Sequence, residues 1–139
     1  MIAKRQEEFP GEPNPNMEVV EKDATIKISE NISLRFFAVT HTIPDAMGVI
    51  IDTPYGSVVH TGDLKLDHVN GVPTSDEEVR FKQFEKERVL LLMTDSTNVE
   101  RPGFSIPEST VNNTIEKLVR DLPGRIILGS FASQLERAM

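Results

Sequence analysis

The sequence has no cysteine and, among its 139 residues, only three histidines. Without cysteine the chain can form no disulfide bond, offer no thiolate to a metal ion and use no cysteine nucleophile. Any metal ion bound by this chain must therefore be held by nitrogen and oxygen atoms.

Long apolar runs and a surplus of positive charge are also missing. No apolar run approaches the roughly 20 residues of a membrane-spanning helix, and the acidic, proline-bearing start has no apolar signal core. We therefore expect a cytoplasmic protein without a membrane partner. The 15 Lys and Arg residues against 22 Asp and Glu residues give a net charge of -7. This balance disfavours nonspecific nucleic-acid binding, unless bound cations or further segments reverse the local field.

The composition predicts one modest hydrophobic core. Hydrophobic residues make up 38% of the chain and the mean hydropathy is -0.26, which is ordinary for a soluble globular domain or part of one. Residues 1–16 carry three prolines and no sustained periodicity. We interpret residues 1–17 as a loop or extended arm.

Four short segments rich in β-branched and aromatic residues predict two β-hairpins in the first half of the chain. The segments are 24–29, 33–39, 48–53 and 57–61. Pro54 and Gly56 favour a tight turn between the last two. Each pair of neighbouring segments is expected to form one hairpin.

The second half predicts helices alternating with buried strands. A helix over 75–88 begins with a capping box at Ser75 and Glu78 and packs through Val79, Phe81 and Phe84. A second helix follows the capping box at 105–108, with apolar residues at helical spacing. These apolar residues are Val111, Ile115, Leu118, Val119 and Leu122.

Two short apolar runs flank the second helix. The run 89–93 (VLLLM) predicts a central strand buried on both faces, and 125–129 (RIILG) predicts another buried strand that leads into a helix from about Ala132. Strands alternating with helices indicate an α/β sandwich in which helices cover a sheet.

Polar, ionisable residues gather immediately after three of the predicted strands, at 40–45, 60–63 and 94–98. Strand ends hold side chains rigidly, so imidazoles and carboxylates there can reach metal-ligand distances of roughly 2 Å. Each group alone has a simpler interpretation: a surface histidine, a Gly-Asp turn, or a cap formed by Asp95. The combination of the three groups favours a catalytic site.

The three groups resemble, in the same order, motifs of the ribonuclease J branch of the metallo-β-lactamase superfamily, whose β-CASP members cleave nucleic acids. Residues 40–45 (THTIPD) are similar to the family's NHSIPD. Residues 60–67 (HTGDLKLD) are similar to HTGDFKFD, and residues 94–103 (TDSTNVERPG) to SDSTNAERPG. Three ordered motifs make the resemblance specific, and it extends from about residue 18 to 139.

The resemblance implies an α/β fold that forms part of a metallo-β-lactamase αββα sandwich. Residues 18–122 would be the C-terminal part of the core of that domain, and residues 123–139 would start a β-CASP domain. The activity it implies is metal-dependent hydrolysis of RNA, endonucleolytic or 5′-to-3′ exonucleolytic, by a complete protein that is a homo-oligomer. RNA is thus the implied partner.

The resemblance also assigns roles to residues. His41 would bind one zinc ion and Asp63 would bridge two, while Asp95 would be a further catalytic acid near the metal ions. Ser96 and Thr97 are candidate substrate-binding residues. A histidine beside a bridging carboxylate suits zinc first and manganese next, and magnesium less well. The two ions would activate the attacking water.

The sequence departs from the family pattern in its missing ligands. It contains no His-x-His-x-Asp-His motif and no later β-CASP histidine, and Glu136 replaces the histidine of the family pattern FASNxHR. His60 alternates to the face opposite Asp63, so we do not count it as a ligand. Zinc sites ordinarily take three or four protein ligands per ion, so the chain alone is expected to be inactive.

We prefer a truncated piece or one chain of a split protein to a degenerate paralogue. Two other functions remain open: a non-catalytic RNA-binding or assembly domain on the same scaffold, and a hydrolase of another ester.

Overall fold

The computed structural model describes residues 7–11, 13, 15–129 and 131, and these residues form one five-stranded sheet with two α-helices and a 3₁₀ helix. The elements in chain order are β1 (Thr25–Lys27), β2 (Ser33–Ala38), β3 (Met47–Thr53), β4 (Gly56–His60), α1 (Ser75–Lys82), the 3₁₀ helix (Gln83–Lys86), β5 (Val89–Met93) and α2 (Glu108–Asp121). The predicted α/β character is confirmed.

The strands lie in the sheet in their chain order, from β1 to β5. Neighbours among the first four are antiparallel, which confirms both predicted hairpins, and β5 is parallel to β4. β1 is shorter than the predicted segment 24–29 because the amides of Ile28 and Ser29 donate to the carbonyl of Ile32 and close the turn.

One face of the sheet carries the core. Phe37, Val39, Ile50 and Val59 are buried there, and residues from the following helical segment cover them. Burial of such side chains stabilises the fold by about 1.5–3 kcal/mol each. Since Phe37 lies over Gly48, a Cβ at that glycine would meet the phenyl ring at 2.3 Å.

Helix α1 turns a different face toward the sheet from the one predicted. Phe81 and Phe84 pack against the core as expected, and the rings of Phe37 and Phe84 meet edge to face at 5.0 Å. Val79, in contrast, is 71% exposed, so its predicted packing role is wrong. The inward position one helical turn before Phe81 belongs to Glu77, since residues four apart share a helix face.

The helix also starts differently at its N-terminus. Thr74, rather than Ser75, is the N-cap, and its hydroxyl accepts a hydrogen bond from the amide of Glu77 at 3.4 Å. Glu78 pairs with Lys82 instead of closing a capping box. After Lys82 the predicted helix tightens into the 3₁₀ turn that carries Phe84.

The prediction of a central, doubly buried strand at 89–93 is half wrong. The strand exists, but within the described sheet it lies at the edge and pairs with β4 alone. Its side chains are about half-exposed, with Leu92 at 59%. An apolar run specifies the strand, whereas burial depends on what packs around it.

Helix α2 is confirmed where the apolar spacing predicts it, and its apolar stripe is half-exposed, with Leu118 at 51%. The strand predicted at 125–129 is wrong: this segment is irregular, and Ile127 is exposed. A strand needs a hydrogen-bonding neighbour, and 125–129 has none in the ranges the structure covers. The helix predicted from Ala132 lies outside the described residues.

Neither described α-helix is long and apolar enough to span a bilayer.

Candidate functional site

The strand directions bring the three polar groups to one end of the sheet. β2 and β4 run the same way because each is antiparallel to β3, and β5 is parallel to β4. Thr40, Thr61 and Thr94 therefore follow strands whose C-terminal ends lie at the same end of the sheet. The amide of Thr61 donates to the carbonyl of Met93 at 3.0 Å, and the amide of Asp95 donates to the Thr61 hydroxyl at 3.3 Å.

His41 and Asp63 face each other across this end of the sheet. The distance between His41 Nε2 and Asp63 Oδ2 is 3.9 Å. The Asp63 side chain is 82% exposed, whereas the imidazole is mostly buried. Gly62, at φ +64°, makes the turn that projects Asp63 beyond the strand. The structure thus places the two predicted metal ligands together.

The backbone around these two residues is tied together. The amide of Lys65 donates to the carbonyl of Thr40 at 2.8 Å, which holds the segment after Asp63 beside the segment that carries His41. The amide of Val39 donates to the carbonyl of Ala46 at 3.0 Å and closes the His41 loop at its base.

Asp95 lies next to the pair and uses both carboxylate oxygens. Oδ1 accepts from the Thr97 hydroxyl at 2.6 Å and the Thr97 amide at 2.8 Å, and Oδ2 accepts from the Leu64 amide at 3.2 Å. The Thr97 bonds first, then the Leu64 bond, lower the pKa of Asp95 below its ordinary value. Asp95 is thus an ionised anchor for the residue that follows Asp63.

The two candidate substrate-binding residues lie in the turn after Asp95. Both are exposed; the Thr97 hydroxyl donates to Asp95, and the carbonyl of Ser96 accepts from the Val99 amide at 3.0 Å. Their contact with a substrate stays a prediction.

His60 takes a structural role in the turn. Its Nδ1 accepts a hydrogen bond from the Gly62 amide at 2.8 Å, which steadies the glycine that precedes Asp63. Within the described part of the chain, no group of three or more His, Asp or Glu side chains is close enough to hold a metal ion.

Sequence reasoning missed a set of residues behind the site. Glu77 of α1 accepts from the Asp67 amide at 2.6 Å, the Asp67 carboxylate accepts from the Glu108 amide at 2.9 Å, and Lys65 pairs with Glu108. Arg80 donates to the Thr40 hydroxyl at 3.2 Å. The signal that could have revealed Glu77 is its spacing of four residues from Phe81, which places it on the inward face of the helix.

Fold and site together define an α/β protein with a histidine and two aspartates gathered at the carboxyl ends of parallel strands. No protein family model matches the chain. The chain is 36% identical over 138 residues to ribonuclease J of Thermus thermophilus, which covers 99% of this chain and 24% of that protein.

Further relatives give the same result. Ribonuclease J of Corynebacterium glutamicum is 46% identical over 107 residues, covering 76% of this chain and 15% of the relative. Ribonuclease J 1 of Streptococcus pyogenes is 41% identical over 108 residues, covering 78% of this chain and 19% of the relative. The chain belongs to the ribonuclease J family and spans about a quarter or less of the length of these relatives.

A solved structure shares the fold. A protein of unknown function from Enterococcus faecalis V583 matches with a TM-score of 0.72 and 24% identity, over 98% of this chain and 34% of that chain.

Proposed function

We propose that this chain is part of a metal-dependent ribonuclease that hydrolyses RNA phosphodiester bonds, within a strand or from its 5′ end. The observation that carries the proposal is the meeting of His41, Asp63 and Asp95 at one end of the sheet, in a chain similar to proteins named ribonuclease J. RNA is the proposed substrate. We further propose that the complete protein is a homo-oligomer and cytoplasmic.

The proposed scaffold is a metallo-β-lactamase αββα sandwich, with residues 18–122 in its core and residues 123–139 opening a β-CASP domain. The two faces of the sheet support it. One face is covered by α1 and the 3₁₀ helix, while the opposite face presents a half-buried apolar surface. That surface consists of Leu34, Phe36, Val49, Ile51 and Val58. A second sheet packed there would complete the sandwich.

His41 and Asp63 are the residues that would hold metal, with zinc the first choice and manganese or magnesium next. An imidazole nitrogen and a carboxylate oxygen that lie 3.9 Å apart form a donor set of the kind that zinc takes in proteins. The imidazole nitrogen favours zinc or manganese over magnesium. When bound, the metal would supply Lewis acidity and a water of lowered pKa.

The protein groups have separate tasks in this proposal. Asp63, exposed at the sheet end, offers its carboxylate, and His41 offers Nε2 from a mostly buried ring. Asp95 holds the Leu64 amide and so orients Asp63 from behind. Bound cations would also offset the acidic chain, which carries a net charge of -7 and would otherwise repel the phosphates of RNA.

Replacement of Asp63 tests the proposal. In the complete ribonuclease J protein that contains this segment, Asp63→Ala should abolish cleavage of a labelled RNA while the circular dichroism spectrum and melting temperature stay close to wild type, since Asp63 is exposed. The control is Glu30→Ala, an exposed acid in the turn between β1 and β2 at the opposite end of the sheet, which should keep wild-type activity. Retained turnover in Asp63→Ala would exclude the assigned role.

A non-catalytic assembly domain is the second candidate, and the exposed apolar strand β5 favours it. The same experiment separates the two. An assembly domain predicts that Asp63→Ala cleaves RNA as fast as wild type in the complete protein.

A further inference from the structure

Glu77 is a buried acid that the proposed site does not use directly. The residue is 2% exposed, and its Oε1 accepts the Asp67 amide at 2.6 Å. Its Oε2 makes no hydrogen bond within the described ranges, and His68 Nε2 lies 3.7 Å away. A buried carboxylate with an unmade hydrogen bond lowers stability. Packing against the sheet therefore does not explain a glutamate at this position.

The contact of Glu77 falls on the segment that follows Asp63. Asp67 is fixed by the Glu77 carboxylate through its amide and by the Glu108 amide through its carboxylate. Two residues earlier, the Lys65 amide is bound to the carbonyl of Thr40. The loop from Asp63 to Asp67 is thus held between α1, the start of α2 and the segment that carries His41.

Arg80 extends this support to the other ligand. It lies three residues after Glu77, on the same side of α1, and its Nη1 donates to the Thr40 hydroxyl at 3.2 Å. Thr40 directly precedes His41. Helix α1 therefore contacts the backbone segment of each proposed metal ligand, through Glu77 for Asp63 and through Arg80 for His41.

We propose that Glu77 and Arg80 are positioning residues that set the separation of His41 and Asp63, and thereby the affinity of the site for zinc. This inference rests on the proposed function. Neither side chain is a ligand; each acts through the loop that it holds. Groups behind a metal ligand ordinarily change metal affinity or activity by about 10–100-fold when they are lost.

The test measures zinc affinity of the complete ribonuclease J protein, by competition with a chelator, beside RNA cleavage. Glu77→Leu removes the acceptor at similar volume, and Arg80→Met removes the donor. Each should weaken zinc binding about 10–100-fold and lower kcat with little change in KM for RNA. Glu77→Gln keeps an acceptor oxygen for the Asp67 amide and should restore most of the affinity.

Two controls separate positioning from general destabilisation. Glu78→Leu alters the neighbouring exposed acid of α1, and it should leave zinc affinity unchanged. Val59→Ala, in the core, should lower the melting temperature without weakening zinc binding. Amide hydrogen exchange should speed up at Asp67 in Glu77→Leu and not in Val59→Ala.

The inference is overturned if folded Glu77→Leu and Arg80→Met proteins bind zinc as tightly as wild type. If Glu77→Leu does not fold, the zinc affinities of Arg80→Met and Glu77→Gln decide instead. The proposal is then contradicted if Arg80→Met binds zinc as tightly as wild type while Glu77→Gln binds it more weakly. RNA cleavage by Asp63→Ala would overturn the proposed function instead. If Asp63→Ala loses cleavage while Glu77→Leu and Arg80→Met bind zinc as tightly as wild type, the proposed function stands and only this inference is overturned.

Discussion

Arg35 of β2 binds an acid of β3 and an acid that precedes β5. These contacts lie at the end of the sheet remote from the candidate site. The guanidinium of Arg35 binds Asp52 through two hydrogen bonds of 2.6 and 2.9 Å, and Glu87 through two more. Ser57 also donates to Asp52 at 2.9 Å. The hydrogen bonds from Arg35, followed by that from Ser57, hold the pKa of Asp52 below its ordinary value of 3.8.

Asp52→Asn should destabilise the chain in a pH-dependent way. Because the folded state favours ionised Asp52, the stabilisation is present above pH 3.8 and disappears as the pH falls through the lowered folded-state pKa. We expect a loss of about 1–2 kcal/mol at pH 7, measured by urea unfolding, since Asp52 is only partly buried.

The same comparison at pH 2–3 should show a smaller difference between Asp52→Asn and wild type. Glu18→Gln, an exposed acid outside the sheet, serves as the control and should be neutral at both values of pH. An equal loss for Asp52→Asn in acid and at neutrality would contradict the ion-pair explanation.

At the scale of elements, the close packing of β2 on β3 depends on Gly48. A Cβ there would lie 2.3 Å from Phe37 Cζ and 2.9 Å from the carbonyl oxygen of His60. The ring can shift only at the expense of its packing on Phe84, and the backbone oxygen belongs to β4. The sheet therefore has no room for a side chain at this position.

Gly48→Ala should lower the free energy of unfolding by about 1–3 kcal/mol through overpacking. The measurement is the urea midpoint at constant slope. Gly129→Ala is the matched control, because nothing lies within 4 Å of a Cβ at that position, and it should be nearly neutral. Equal stability of the two variants would show that Phe37 rearranges without loss.

Helix α1 shows how an element can be located from sequence while its inward face is not. The predicted start was one residue from the observed N-cap, yet Val79 was chosen over Glu77 as an inward residue. A hydrophobicity pattern assumes that buried positions are apolar. It fails where a buried carboxylate holds the backbone of a neighbouring loop.

At the scale of the whole molecule, the described chain supplies too few ligands for a dinuclear centre. His41 and Asp63 are the two proposed ligands that lie together, and zinc sites ordinarily take three or four protein ligands per ion. The apolar surfaces of β5 and α2 are likewise half-exposed within the described ranges. Both observations are consistent with a chain that spans 15–24% of its relatives.

Titration calorimetry of the 139-residue chain with zinc should therefore show weak binding or none. The Asp63→Ala chain is the control for heat from nonspecific sites, and it should remove whatever specific binding is seen. Tight binding of two zinc ions per chain would refute the argument that ligands are missing.

The sequence by itself determined the local features of this protein. Short segments rich in β-branched and aromatic residues predicted both hairpins, and helical spacing predicted α2. The motif containing His41 and that containing Asp63 identified the candidate site. Each of these signals lies within a few neighbouring residues, because periodicity and turn chemistry are properties of a short stretch of chain.

Only the tertiary structure decided which strand lies at the edge, that 125–129 is irregular, and that Glu77 and Arg80 stand behind the two proposed ligands. These features depend on contacts between segments far apart in the chain. An apolar run such as 89–93 has the same pattern whether or not another element covers it, so its burial is settled by its neighbours in space.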